Sequence, residues 1–356
     1  MSSATLGRTD RSDHTDRTVA AAQAGAGADG AARDPFLDNA KFLLVVLVVI
    51  GHGWGPISDE MRGLKTLYLV VYAFHMPVFV FLCGYFSRGF TGSPEQIRKL
   101  VAGVLLPYLV FETVYAGLYA LLWDDPFPVS PSDPLYLCWF LLALFLWRLT
   151  APLWRAVRWP VAVAAVISVA AGALDVGYEL GLARVLMFLP WFVLGLRMRR
   201  EHLRPLRCAA ARRLALPVLV TAVAGAWCVA PYVSTGWLLM QHGAADLGVP
   251  DVVYVPMRLA LFAVSAVVGA AFLALVPGRR AGCTALGAAT MYPFLLHGLV
   301  IKTFEGAGGY DIILSGGLLA GAVLTVATTA LALGLYAPPV RRVLRPLVEP
   351  RFPRWL

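Results

Sequence analysis

Charged side chains are scarce in this sequence: Asp, Glu, Lys and Arg together make 14% of the 356 residues, against 59% hydrophobic ones. With a mean hydropathy of +0.71, that balance excludes an ordinary soluble globular protein. It fits a polytopic bundle of transmembrane helices, which satisfy their own backbone hydrogen bonds in lipid. Cysteine is also sparse. Cys83, Cys138, Cys208, Cys228 and Cys283 show neither CxxC nor a Cys/His ligand spacing, so no metal site is expected. The excess positive charge, +9 in all, falls in short connections between apolar stretches. It therefore reads as a topology signal, and no nucleic-acid partner is expected.

Residues 1–34 are rich in Ala, Gly, Asp, Arg, Ser and Thr and contain no apolar run, the composition of a disordered tail. About ten spans follow, each judged against the ~20 residues a bilayer requires. They are 37–57, 66–87, 100–123, 135–154, 159–174, 182–196, 214–233, 253–276, 284–304 and 312–336. Arginine and lysine gather in alternate connections, most densely in the run from Arg197 to Arg213, while the opposite connections carry Asp and Glu. Such asymmetry predicts that both termini, including a basic tail over 337–356, lie in the cytoplasm of a multi-pass plasma-membrane protein.

The first span sets the search for chemistry. It runs Asp38-Asn39-Ala40-Lys41, then uninterrupted Phe, Leu, Val and Ile to Ile50, then Gly51-His52. Lys41 and His52 are eleven residues apart. At about 100° per residue their side chains share one helical stripe, separated by roughly 16 Å along the axis. An imidazole that deep in an apolar helix is expected to face an enclosed polar cavity reaching from the level of Lys41. Few other ionisable groups remain inside the spans: His75, Glu112, Arg184, Arg258, His297 and Lys302. Ionisable groups in lipid are costly, so each is a candidate for a site.

Each also has a plainer reading. A lysine at a helix end snorkels to the interface without any substrate, and Asp38 suits the positive end of a helix. His75 precedes Pro77, which interrupts the hydrogen-bond ladder, and a histidine there satisfies a freed carbonyl. Glu112 needs a proton, a partner or water in mid-span. It is taken as the group that orients His52 or His75. Arg184 and Lys302 stand near outer span ends and are set aside as snorkelling; Arg258 reaches either an acceptor or lipid headgroups. Tyr292 and His297 diverge by about 140° on a straight helix, a relation that Pro293 alters.

Longer stretches carry more information. The second span contains Tyr72-Ala73-Phe74-His75-Met76-Pro77 and Phe81-Leu82-Cys83-Gly84-Tyr85-Phe86. Leu105-Leu106-Pro107-Tyr108 and Cys138-Trp139-Phe140-Leu141 follow, and then Leu286-Gly287 through Met291-Tyr292-Pro293-Phe294-Leu295-Leu296-His297. Together with the first helix this series, in this order over roughly residues 35–336, resembles the acyltransferase-3 family of integral membrane acyltransferases, most of all its fucose 4-O-acetylase-like branch. The resemblance implies transfer of an acyl group, typically acetyl, from acyl-CoA to a hydroxyl of a sugar or glycolipid acceptor. It marks His52 as the essential histidine and Lys41 as the basic residue that many members hold as arginine. Arg98 and Lys99 join Lys41 as candidates for the CoA phosphates. The family's arginine cluster is replaced here by apolar Leu100–Leu106. Within the motif segments, His75, Tyr108, Trp139 and His297 are candidate substrate-binding residues, together with Arg258.

The residues themselves support the same chemistry. A neutral imidazole takes the proton of an acceptor hydroxyl as it attacks a thioester carbonyl. Basic residues at one membrane face can pair with the donor's phosphates. Ten spans with buried charge also suit a transporter or flippase, although no second copy of the His52 helix accompanies the first.

Overall fold

The computed structural model describes residues 34–124, 127, 130, 132–177 and 179–349. Most of the expected tail over 1–34 and the chain end over 350–356 lie outside the described residues. Among those described, every regular element is helical and no strand occurs.

The helices are α1 (Pro35–Trp54), α2 (Arg62–Phe86), α3 (Pro94–Leu100), α4 (Leu106–Trp123), α5 (Trp139–Ala156), α6 (Pro160–Ala173), α7 (Leu182–Met187) and α8 (Leu189–Arg197). They continue with α9 (Ala209–Val229), α10 (Gly236–Leu239), α11 (Asp251–Leu275), α12 (Met291–Gly306), α13 (Gly309–Ser315), α14 (Gly317–Gly334) and α15 (Pro338–Val348). Six helical stretches are long and apolar enough to cross a membrane: Pro35–Ile57, Arg62–Gly89, Pro94–Trp123, Ala209–Val229, Asp251–Leu275 and Gly317–Gly334. The chain is thus a polytopic helical membrane protein. Helices α5, α6 and α12, expected as spans, are shorter or more polar than these.

Proline explains where the expected spans are broken. The sixth is a pair, Glu179–Met187 and Leu189–Arg197, bent by 56°. Pro190 at the second helix's start lacks the N–H that would continue the ladder. Between α3 and α4 the ladder widens to a π-helical turn over Val101–Leu105, beside Pro107, whose missing donor loosens the bonds to the preceding turn. The basic segment after Ala337 holds α15, which docks at one end of the bundle. There the Tyr292 hydroxyl donates to Glu349 at 3.1 Å, and Arg341 stacks over the Tyr292 ring.

α1 and α2 form the centre. α1 packs against α2, α12, α14 and the turn Leu286–Ala288; α2 packs against α8, α9 and α11. Glycines permit the closest of these approaches. A Cβ on Gly84 would lie 1.9 Å from the Phe192 carbonyl oxygen, and one on Gly195 would lie 1.9 Å from that of Phe81. In lipid, where no hydrophobic force drives helices together, such backbone-to-backbone contact is a main source of association. Gly287 does the same at the start of α1, where its Cβ would meet the Asp38 carbonyl oxygen at 2.2 Å.

Asn39 anchors that end. Its side chain is fully buried, donates to the carbonyls of Pro277 (2.8 Å) and Arg279 (3.0 Å), and accepts from the Thr284 hydroxyl (2.7 Å). Asp34 caps α1 through the Phe36 N–H and pairs with Arg207 at 2.7 Å, so the arginine-rich loop is stitched to the same corner. Replacing Asn39 by leucine strands two carbonyls and a hydroxyl. At about 1–3 kcal/mol for each buried group left without a partner, Asn39→Leu is expected to lower the thermal midpoint of the detergent-solubilised protein by several degrees. An unchanged midpoint would remove Asn39 as the anchor.

Candidate active site

The central helices bring three histidines together, two of them at one cavity. His52 ends α1, His75 stands on α2 and His297 on α12. His52 Nδ1 and His297 Nε2 are 2.7 Å apart, with the two rings tilted by only 18°. His297 Nδ1 lies 2.7 Å from the Pro293 carbonyl oxygen. A carbonyl only accepts, so the proton of a neutral His297 is on Nδ1 and its Nε2 holds a lone pair. That lone pair accepts from His52 Nδ1–H. The remaining nitrogen of His52, Nε2, is then unprotonated. His75 is fixed in the same sense, because its Nδ1 donates to the Val71 carbonyl at 2.8 Å.

His52 and His75 line a cavity of about 350 Å³. Its walls include Tyr68, Tyr72, Tyr136, Trp139, Phe140 and Phe294, and two cations, Arg184 and Lys302, also border it. Arg184 sits over the Trp139 ring at 4.7 Å and donates to Gln241 and to the Leu239 carbonyl. Lys302 pairs with Glu305 at 2.8 Å and stands 4.9 Å from the Tyr136 ring centroid. Neither is a snorkelling residue: both are turned to the polar space.

Other expectations fare differently. Lys41 lies outside this cavity, paired with Asp38 at 2.8 Å and 5.0 Å from the Phe86 ring centroid. Lys41 and His52 both stand on α1, as the spacing predicts. Phe140 meets Phe79 and Phe294 edge-on, with ring centroids 5.3 Å apart in each pair, and Phe140 and Phe294 line the cavity. Arg98 and Lys99 are exposed near the Lys41 end, Lys99 paired with Glu95 at 2.7 Å. Tyr108 is buried in the main core cluster, away from the cavity lining.

Glu112 also stays clear of the histidines. Both of its carboxyl oxygens accept the Leu135 N–H, at 3.0 and 3.1 Å. Arg258 is fully buried rather than at the headgroups. It donates to the Tyr254 hydroxyl and the Trp237 carbonyl, and lies against the Met187 and Met240 sulfurs. Of the predicted residues, His52, His75 and Trp139 border one space, with His297 behind His52. The intramembrane position of Arg184 and Lys302 was the signal that would have added them; nothing in the sequence marks Tyr136.

A nitrogen lone pair held at the wall of a part-enclosed cavity, backed by a second imidazole and a carbonyl, is able to accept a proton. No curated protein and no solved structure matches the chain. Residues 34–337, however, match the family described as the acyltransferase domain, the region that holds α1 to α14 and every residue of the cavity. The chain belongs to the acyltransferase-3 family and is an integral membrane acyltransferase.

Proposed function

We propose that the protein transfers an acyl group, acetyl in the simplest case, from acyl-CoA to a hydroxyl of a carbohydrate or glycolipid acceptor in the cell envelope. The observation that carries this reading is the hydrogen bond from His52 Nδ1 to His297, which leaves Nε2 of His52 free to take a proton. In the reaction the acceptor hydroxyl gives its proton to Nε2 while its oxygen forms a bond to the thioester carbonyl carbon. The C–S bond then breaks, and the leaving thiolate takes a proton from the imidazolium. His297 accepts from Nδ1–H throughout and spreads the positive charge that forms on His52.

Tyrosines, Trp139 and two cations around about 350 Å³ give a sugar-sized space with donors and acceptors on several sides. His75 Nε2 is an acceptor for a second hydroxyl of the same acceptor. The donor's phosphates stay with the exposed bases at the Lys41 end, taken as cytoplasmic from the charge asymmetry of the connections. Its flexible arm is long enough to climb from the level of Lys41 towards His52.

The test uses membranes containing the protein, acetyl-CoA labelled in the acetyl group, and glycan and glycolipid fractions of the same envelope. Label is expected in one fraction, released by mild alkali as an ester should be. If label passes only to protein or lipid amines, or if no fraction is labelled although the purified protein is folded, the O-acyltransferase reading fails.

A further inference from the structure

The turn that carries Tyr136 is held from three sides. From α4, the Glu112 carboxyl group grips the Leu135 N–H with both oxygens. Within the turn, Tyr136 itself takes a φ of 48°, a region that side chains with a Cβ rarely adopt. A bulky residue stays there only where its surroundings over-determine it, and such places gather at functional sites. From α12, Gly298 leaves room for the turn. A Cβ at that position would lie 2.7 Å from Tyr136 Cε1, 2.6 Å from Leu137 Cδ2 and 2.2 Å from the Tyr115 hydroxyl oxygen.

These constraints deliver the Tyr136 ring to His52, with centroids 5.2 Å apart and planes 40° from each other. Lys302 covers the same aromatic ring at 4.9 Å. The hydrogen bond to His297 fixes one atom of the His52 imidazole. It does not stop the ring from swinging about that contact, and a swing carries Nε2 away from the cavity. A rigid wall against the ring stops it.

We propose that Tyr136, clamped by Glu112 and seated over Gly298, is a positioning residue that sets the plane of the His52 imidazole. The aromatic ring does this; the hydroxyl is dispensable. The inference rests on His52 being the general base, and it gives Glu112 a task at one remove from the reaction. Misplacing a reacting group by about 1 Å costs ~10²-fold in rate, so a wall of this kind has a measurable signature. It is a fall in kcat with little change in KM for the acceptor.

The full-length protein, reconstituted in vesicles, is assayed for acetyl transfer from acetyl-CoA over a range of acceptor concentrations. Tyr136→Ala is expected to lower kcat by about tenfold or more while KM stays within about threefold. Tyr136→Phe, which keeps the ring, recovers most of that loss. Glu112→Ala lowers kcat in the same way, and the Tyr136→Ala/Glu112→Ala double variant is no slower than the slower single variant, because both remove one device. Losses that multiply, a KM effect alone, or a Tyr136→Phe as slow as Tyr136→Ala would each overturn the proposal. Should Glu112→Ala fail to accumulate as folded protein, the alanine and phenylalanine variants at 136 decide the matter between them. His52→Ala is measured in parallel. A wild-type rate there defeats the base assignment itself, whereas a silent His52→Ala beside a normal Tyr136→Ala defeats only the positioning role.

Discussion

His52→Ala is expected to lower acyl transfer by about 10²- to 10⁴-fold, the usual contribution of a general base. The variant should fold normally, because the imidazole is only part-buried and its single side-chain hydrogen bond is to another histidine. Thermal midpoint and elution profile therefore serve as controls. The partner gives a finer test. In His297→Leu the acceptor for Nδ1–H is gone, His52 is free to carry its proton on either nitrogen, and the forming imidazolium loses support. A loss of about one to two orders of magnitude is expected, by the logic that makes the third member of a catalytic triad matter. His297→Gln, whose amide oxygen can accept, should lose less. Equal rates for the leucine and glutamine variants would show that the pairing has no catalytic role, even with His52 essential.

Gly84→Val and Gly195→Val should each prevent accumulation of folded protein. At both sites the obstacle to a Cβ is a backbone carbonyl at 1.9 Å rather than a side chain that can turn aside. Helices α2 and α8 would have to separate along their whole contact. Inserting bulk into a tight core typically costs about 1–3 kcal/mol and more where backbone must move, a large share of the 5–15 kcal/mol that stabilises a typical domain. Gly103→Val serves as control, since nothing lies within 4 Å of its Cβ position. Yield of monodisperse protein after detergent extraction is the measurement. Normal yield of either variant would mean that α2 and α8 do not meet as described.

The course of the helices was legible in the sequence because lipid demands apolar runs and proline marks their breaks. The histidines were legible too: an ionisable group in an apolar helix is conspicuous, and His52, His75 and His297 do converge. Their pairing was not. His52 and His297 are 245 residues apart, and no periodicity reports that Nδ1 of one meets Nε2 of the other. Arg184 and Lys302 read as snorkelling because a cation near a span end has the same sequence signature whether it faces headgroups or a cavity. Arg258 illustrates the converse. It looked peripheral, yet Trp237, Met240 and Met187, from segments distant in the chain, close over it. Tyr136 was invisible for another reason: its distinction lies in a backbone angle, which residue type does not encode. With Lys41 the helical geometry was right, but geometry on one helix says nothing about which residues line a cavity; Lys41 instead pairs with Asp38.

The Phe140 ring, which lines the cavity edge-on to Phe294 and packs on Phe79, bears on water as much as on catalysis. An acyl thioester that meets water is open to hydrolysis, so a transferase of this kind gains from apolar walls beside its histidine. Phe140 and Phe294 supply such a wall on the cavity side, and His297 stands behind His52 with no exposure of its own.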